Sequence, residues 1–203
     1  MKLWPLDDAV LTGGAHLPWP VPGCRCLTCR TDAGPGEGRS TRAATGLTWG
    51  PLSLGAEGYR TGQAASTPLR LEPGTTAEVA GTRLLSLPAP GADGVLVVGR
   101  GGRSLLWAPV AGALPPASVQ ALQDGGLDAA VLDVRDADGR ADPLALAHEV
   151  ARLRSARALT PRAPVVAVGW THRSDLVRLT PVLSAWGVTV AGSAAAAMGP
   201  DEK

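Results

Sequence analysis

The tightest constraint on this chain is Gly23-Cys24-Arg25-Cys26-Leu27-Thr28-Cys29, a short stretch behind a Gly/Pro-rich lead-in that holds all three cysteines of the 203-residue protein. Cys24 and Cys26 are too close for an unstrained disulfide, whereas three thiolates at C-x-C-x-x-C spacing can converge on one tetrahedral zinc. That centre lacks a fourth ligand, which must come from another part of the chain.

Three histidines can complete a Cys3His site. His148 lies two residues from both Leu146 and Val150, about 200° away on a helical wheel, and is expected to face solvent. His16 lies eight residues before Cys24 in a Gly/Pro loop, where it can fold back or stay an exposed loop histidine. His172 follows the apolar run Val165–Val168, at the end of an expected strand where α/β folds gather functional groups. From position alone, a ligand and a hydrogen-bonded strand-end histidine are equally good readings of His172.

Charge narrows the partners. Nineteen Lys+Arg against 18 Asp+Glu leave a net charge of +1, with the arginines scattered. There is thus no electrostatic basis for binding nucleic acid or an anionic membrane. Residues 1 to 14 do not read as a signal peptide, and no apolar run approaches the roughly 20 residues needed to span a bilayer. Clustered cysteines without other pairs suit a reducing, cytoplasmic setting. With 45% hydrophobic residues the chain can bury a core, and the expected organisation is a single domain over 1–193 with a flexible tail over 194–203.

The periodicity divides the chain. Ala9–Leu11, Leu47–Trp49, Leu52–Leu54, Leu69–Leu71, Ala77–Ala80, Arg83–Leu87, Val95–Val98 and Ser104–Trp107 read as short strands, with a hairpin turn at Gly99-Arg100-Gly101-Gly102. Pro115 and Pro116 can then open a helix to about Asp124, followed by strand Ala129–Val134. Asp142 as N-cap and Pro143 at the first position begin a helix with Leu146, Val150 and Leu153 on one stripe. Strand Pro164–Val168, a loop through His172, a helix to Trp186 kinked at Pro181 and strand Val188–Ala191 complete the series. Sheet-rich material followed by α/β units predicts two sheets covered by outer helices.

The ordered set Leu11-Thr12-Gly13-Gly14-Ala15-His16, Trp19-Pro20, the cysteine motif, Arg42–Glu57, Ser104–Pro109 with Gly112 and Leu114-Pro115, and Val165–Gly187 resembles the metallo-β-lactamase superfamily. Within it, the likeness is to members carrying G-C-x-C-x-x-C near the N-terminus. These include the cyclic phosphodiesterase of phosphonate catabolism, the B protein of pyrroloquinoline quinone biosynthesis, and an actinobacterial domain fused to cobinamide kinase. The piece between about Gly58 and Leu69 is much shorter than in those proteins. The resemblance implies a truncated αββα sandwich of two mixed sheets with outer helices, in the α/β class. It also implies a single structural zinc, Zn2+, held by Cys24, Cys26, Cys29 and His172, closing a span of 143 residues from Cys29. A clip across so long a loop is where a metal should stabilise most.

The hydrolytic centre implied by the same resemblance has no residues to build it. No histidine occurs between His16 and His148, so H-x-H-x-D-H is missing. Ser53 and Val110 stand where the family has aspartates, Ala and Pro replace a histidine near the Leu85–Pro90 strand end, and Gly169 replaces the first histidine of H-x-x-H. Other chemistry is thin. Gly99–Gly102 joins two strands and does not open a helix, so it is a hairpin turn before a phosphate cradle. Asp133, Asp136 and Asp138 read as a solvated turn before a cation site. Trp107 and Trp186 read as packing residues. The expected function is a pseudoenzyme that binds a small molecule or a protein. The alternative is an enzyme of unidentified chemistry in actinobacterial cofactor or natural-product biosynthesis that reuses the old cleft. A second copy of the chain, giving a homodimer, is a further candidate partner.

Overall fold

Among the described residues the chain runs as strands alone up to Ala108 and then alternates helix with strand, as the change of apolar period after Trp107 predicts. In the computed structural model of the protein, the residues described are 6, 9–12, 45–55, 58–61, 70–90, 95–137, 141–170 and 173–191. His16, Cys24, Cys26, Cys29, Asp138, His172 and the tail over 194–203 lie outside them.

Strands β1 (Ala9–Thr12), β2 (Gly46–Trp49), β3 (Leu52–Gly55) and β4 (Gly58–Thr61) form a four-stranded sheet in that order. Alternating burial along β2 and β3 turns Leu47, Trp49, Leu52 and Leu54 into the core. Strands β5 (Thr76–Val79), β6 (Thr82–Leu87), β7 (Val95–Arg100), β8 (Arg103–Ala108), β9 (Ala129–Asp133), β10 (Val165–Val168) and β11 (Val188–Val190) form a seven-stranded sheet. Its order is β11-β10-β9-β8-β7-β6-β5. Strands β8 to β11 are mutually parallel and β5 to β8 antiparallel, so this sheet is mixed as expected. The smaller sheet is antiparallel throughout its described strands.

Parallel strands need crossovers, and helices α1 (Pro116–Ala121), α2 (Pro143–Ser155) and α3 (Arg173–Ser184) supply them between β8, β9, β10 and β11. Strand order advances one place in one direction at each step, so right-handed crossovers put all three helices on one face. Every residue of β9 and β10 is buried, as strands covered on both faces must be. Trp107, fully buried on β8, donates its Nε1–H to the Gly55 carbonyl at 3.4 Å and ties the two sheets together. Asp142 caps α2 by accepting from the amides of Leu144 and Ala145 at 3.0 Å, and Leu146, Val150 and Leu153 are buried as their stripe predicts.

Five local expectations change. Arg70 and Leu71 are not in a strand, because the chain turns at once through Pro73 and Gly74, the latter at φ +84°. The Leu71 carbonyl instead accepts from the Ser86 hydroxyl at 3.1 Å. Ala80 leaves β5 for a two-residue turn with Gly81, both at positive φ. The β7–β8 turn tightens to Gly101-Gly102, since Arg100 and Arg103 still pair. Helix α1 stops at Ala121, short of Asp124, which lies at φ +58°. Trp186 is no core residue: it follows the end of α3 and is 47% exposed, while Leu179 and Leu183 fill the sheet side.

Candidate functional site

The C-terminal ends of β8, β9 and β10 finish in register, with Ala108 beside Leu132 and Val168 beside Asp133. Chain leaving β8 and β9 must turn over this rim to reach α1 and α2. Between those loops and α2 lies a cavity of about 150 Å³, lined by residues that include Val110, Leu114, Asp133, Arg135, Ala145 and Glu149.

Asp133 closes β9 with a side chain only 1% exposed, and Arg135 two residues later folds back onto it. The Arg135 Nε donates to Oδ1 at 2.9 Å and Nη2 to Oδ2 at 2.5 Å, while the Arg135 backbone amide donates to Oδ1 at 2.8 Å. This bidentate contact is of the strong, charge-assisted kind. The hydrogen bond to Asp133 raises the Arg135 pKa, and burial opposes it. A raised folded value means that the pair's contribution is complete below arginine's ordinary pKa and is lost only in stronger alkali.

The carboxylate of Asp133 also occupies the space beside Gly169, the first residue past β10. Gly169 has φ +87°, and a Cβ built there would overlap the Asp133 carboxylate. Glycine is therefore required twice at this position, by conformation and by space.

A second pair fixes the loop after β8. On α2, Glu149 accepts from Arg152 Nε at 3.0 Å and Nη2 at 2.7 Å, and its Oε1 accepts from the Leu114 amide at 3.2 Å. Arg152 Nη2 donates to the Leu114 carbonyl at 2.6 Å, so both polar groups of that residue are held. The Gly112 amide donates to the Arg135 carbonyl at 2.8 Å and links the two loops.

A larger depression, about 720 Å³, lies at the other end of these strands against Asp124, Arg154, Arg157 and Thr160. It is more open to solvent, and its Arg157 is paired with Asp124 at 2.6 Å. The smaller cavity, walled by buried carboxylates that each hold a partly exposed arginine, is the better-built site.

Of the residues singled out in the sequence, the zinc set Cys24, Cys26, Cys29 and His172 lies outside the described residues. Among the described residues no group of three His, Cys, Asp or Glu could hold a metal. His148 is exposed on α2, as its helical position predicts. Ser53 sits half-buried on β3, and Val110 lines the cavity. Asp133 overturns the solvated-turn expectation, because burial forces it to take Arg135 as partner. Arg135, Glu149 and Arg152 were not foreseen as site residues. Their signals were local: an acid and a base at i, i+2 after a strand, and at i, i+3 on a helix.

No family model matches the chain, and no curated protein matches it. Among solved structures it is similar to a candidate zinc-dependent hydrolase of the metallo-β-lactamase superfamily from Thermotoga maritima. That overlay has a TM-score of 0.45 and 10% identity over 64% of this chain and 73% of the other. CmlA, a diiron β-hydroxylase from Streptomyces venezuelae, gives 0.42 and 13% over 62% of this chain and 33% of its own. The metallo-β-lactamase fold protein YhfI from Bacillus subtilis gives 0.41 and 7% over 61% and 52%. At these scores the overlays carry no argument about chemistry, and the site stands on its own geometry.

Proposed function

We propose that the protein is a non-catalytic binding module on a metallo-β-lactamase-like scaffold, clipped by one structural zinc and taking a small molecule or a protein at its strand-end rim. The observation that supports loss of the hydrolytic centre is Gly169. The resemblance calls for a metal-binding imidazole there, yet any Cβ at 169 overlaps the carboxylate of Asp133. The residues present do not fit a hydrolytic metal at this strand end, where Arg135 already supplies the positive charge beside Asp133. No hydrolytic step is derived through such a metal.

For the structural ion, the chemistry of the donor set supports the reading. Cys24, Cys26, Cys29 and His172 offer three thiolates and one imidazole, a closed tetrahedral set for Zn2+ with no open position. Bound there, zinc supplies cross-linking and no reactive water. These residues would tie the N-terminal turn to the segment just past β10, and a reducing, cytoplasmic setting would keep the thiols available. Among the described residues, no helix is long and apolar enough to cross a membrane.

Metal analysis of the purified protein beside His172→Ala tests this. One zinc per chain is expected in the wild type. In the variant, the zinc is lost together with a large share of stability, since structural zinc in small domains contributes roughly 10 kcal/mol of binding energy. Two metals per chain, or a zinc-free folded wild type, would sink the proposal. Retention of zinc by His172→Ala with loss in His16→Ala would move the fourth ligand to His16.

A further inference from the structure

We propose that the strand-end cavity binds a small, neutral, mostly apolar molecule about the size of one aromatic ring. This deepens the binding-module reading and rests on its small-molecule branch, but it does not depend on the zinc clip. The cavity lies at the C-terminal ends of parallel strands, the position where α/β sheets place their ligands. Its volume of about 150 Å³ matches voids that accept a benzene-sized guest.

The walls decide the guest's charge. Val110, Leu114, Leu132, Val134 and Leu146 give the cavity an apolar lining. Asp133 is already engaged by Arg135, Glu149 by Arg152 and the Leu114 amide, and Asp136, the third carboxylate of the lining, has an interaction of its own. A charged guest would give up its hydration to meet carboxylates and guanidinium groups whose charges are already matched, which is unfavourable. A neutral apolar guest instead releases water from apolar wall. Arg135, with a third of its side chain exposed, lies at the rim, so one carbonyl or hydroxyl oxygen on the guest is compatible with it.

The mouth carries a second clue. Ala113 and Ala145 line the cavity and are both exposed, so small side chains at the opening leave it accessible. A larger side chain at either place would plug the entrance from the solvent side without repacking the core.

The test titrates the full-length protein with three probes of similar size and different charge: benzyl alcohol, benzoate and benzylammonium. Binding is followed by backbone amide NMR. The expected result is saturable shifts from benzyl alcohol over Val110–Leu114 and Ala145–Glu149, with at least tenfold weaker binding of both ions. Ala145→Leu and Ala113→Leu should each weaken benzyl alcohol at least tenfold, while Ala151→Leu, exposed on α2 and outside the cavity lining, leaves it unchanged. No saturable binding of benzyl alcohol, shifts indifferent to both plugs, or equal binding of an ion would overturn the proposal. Failure here with one zinc per chain removes this site and leaves the zinc-clipped module standing; binding without zinc does the reverse.

Discussion

The two ends of the parallel strands differ in how deeply they bury their ion pairs, although Asp128 at the N-terminal end also accepts from a backbone amide, that of Ser104 at 2.8 Å. At the C-terminal rim, Asp133 and Glu149 are buried, and each is held by an arginine and by a backbone amide. At the N-terminal end, Asp128 takes Arg103 at 3.0 Å and Asp124 takes Arg157 at 2.6 Å, with both arginine side chains more than half exposed. An exposed pair gains little, because water competes and two long side chains must be ordered. A buried pair is costly to leave half-made, so once the rim has closed its geometry is fixed. The contrast locates the built site at one end of the sheet.

The strongest way to break this contrast is Gly169→Ala. It combines a left-handed backbone with overlap on a buried carboxylate, and a loss of about 3 kcal/mol is expected in denaturant unfolding. Adding Asp133→Ala removes the overlapped group, so the double variant should lose at least about 1 kcal/mol less than the sum of the singles. Strict additivity would mean that Gly169 and Asp133 are not in conflict.

Glu149→Ala should cost less, about 2 kcal/mol, by orphaning the Leu114 amide and removing the carboxylate that pairs with Arg152, which keeps its bond to the Leu114 carbonyl. Hydrogen exchange at Leu114 reports this locally, and unchanged protection there would show that the loop after β8 is held by something else. The smallest effect belongs to the other end. Arg157→Ala is expected to move stability by no more than about 0.5 kcal/mol, and a loss near that of Glu149→Ala would erase the difference between the two ends.

Much of the fold is legible from local pattern. The Asp142-Pro143 start of α2, its Leu146-Val150-Leu153 stripe and the apolar run Val165–Val168 each carry a signal within a few residues. Strand β4 carries none that stands out in Gly58-Tyr59-Arg60-Thr61, since its pairing with β3 supplies the order. Trp186 misleads for a related reason. Its size suggests burial, but whether a residue at a helix end reaches the core depends on where that helix stops.

The site divides in the same manner. The cysteine spacing points to a zinc chemistry in the sequence, because three thiolates at C-x-C-x-x-C need no coordinates to be recognised, whereas the fourth donor, His172, is what the family resemblance implies. Asp133, Asp136 and Asp138 look alike in the sequence, and nothing local distinguishes Asp133 as the one that β9 carries into the interior.

By itself, then, the sequence determined the α/β order of elements, the near-neutral charge and the clustering of all three cysteines in one short motif, since each depends on residue type and short spacing. Only the tertiary structure decided that Asp133 is buried, that Arg135 must answer it, that Gly169 has no room for a side chain, and that Glu149 reaches the loop after β8. Those facts depend on β9 and β10 ending side by side beneath α2. Such juxtapositions are set by sheet register and crossover packing, which bring residues 133 and 169 into contact although 36 positions separate them.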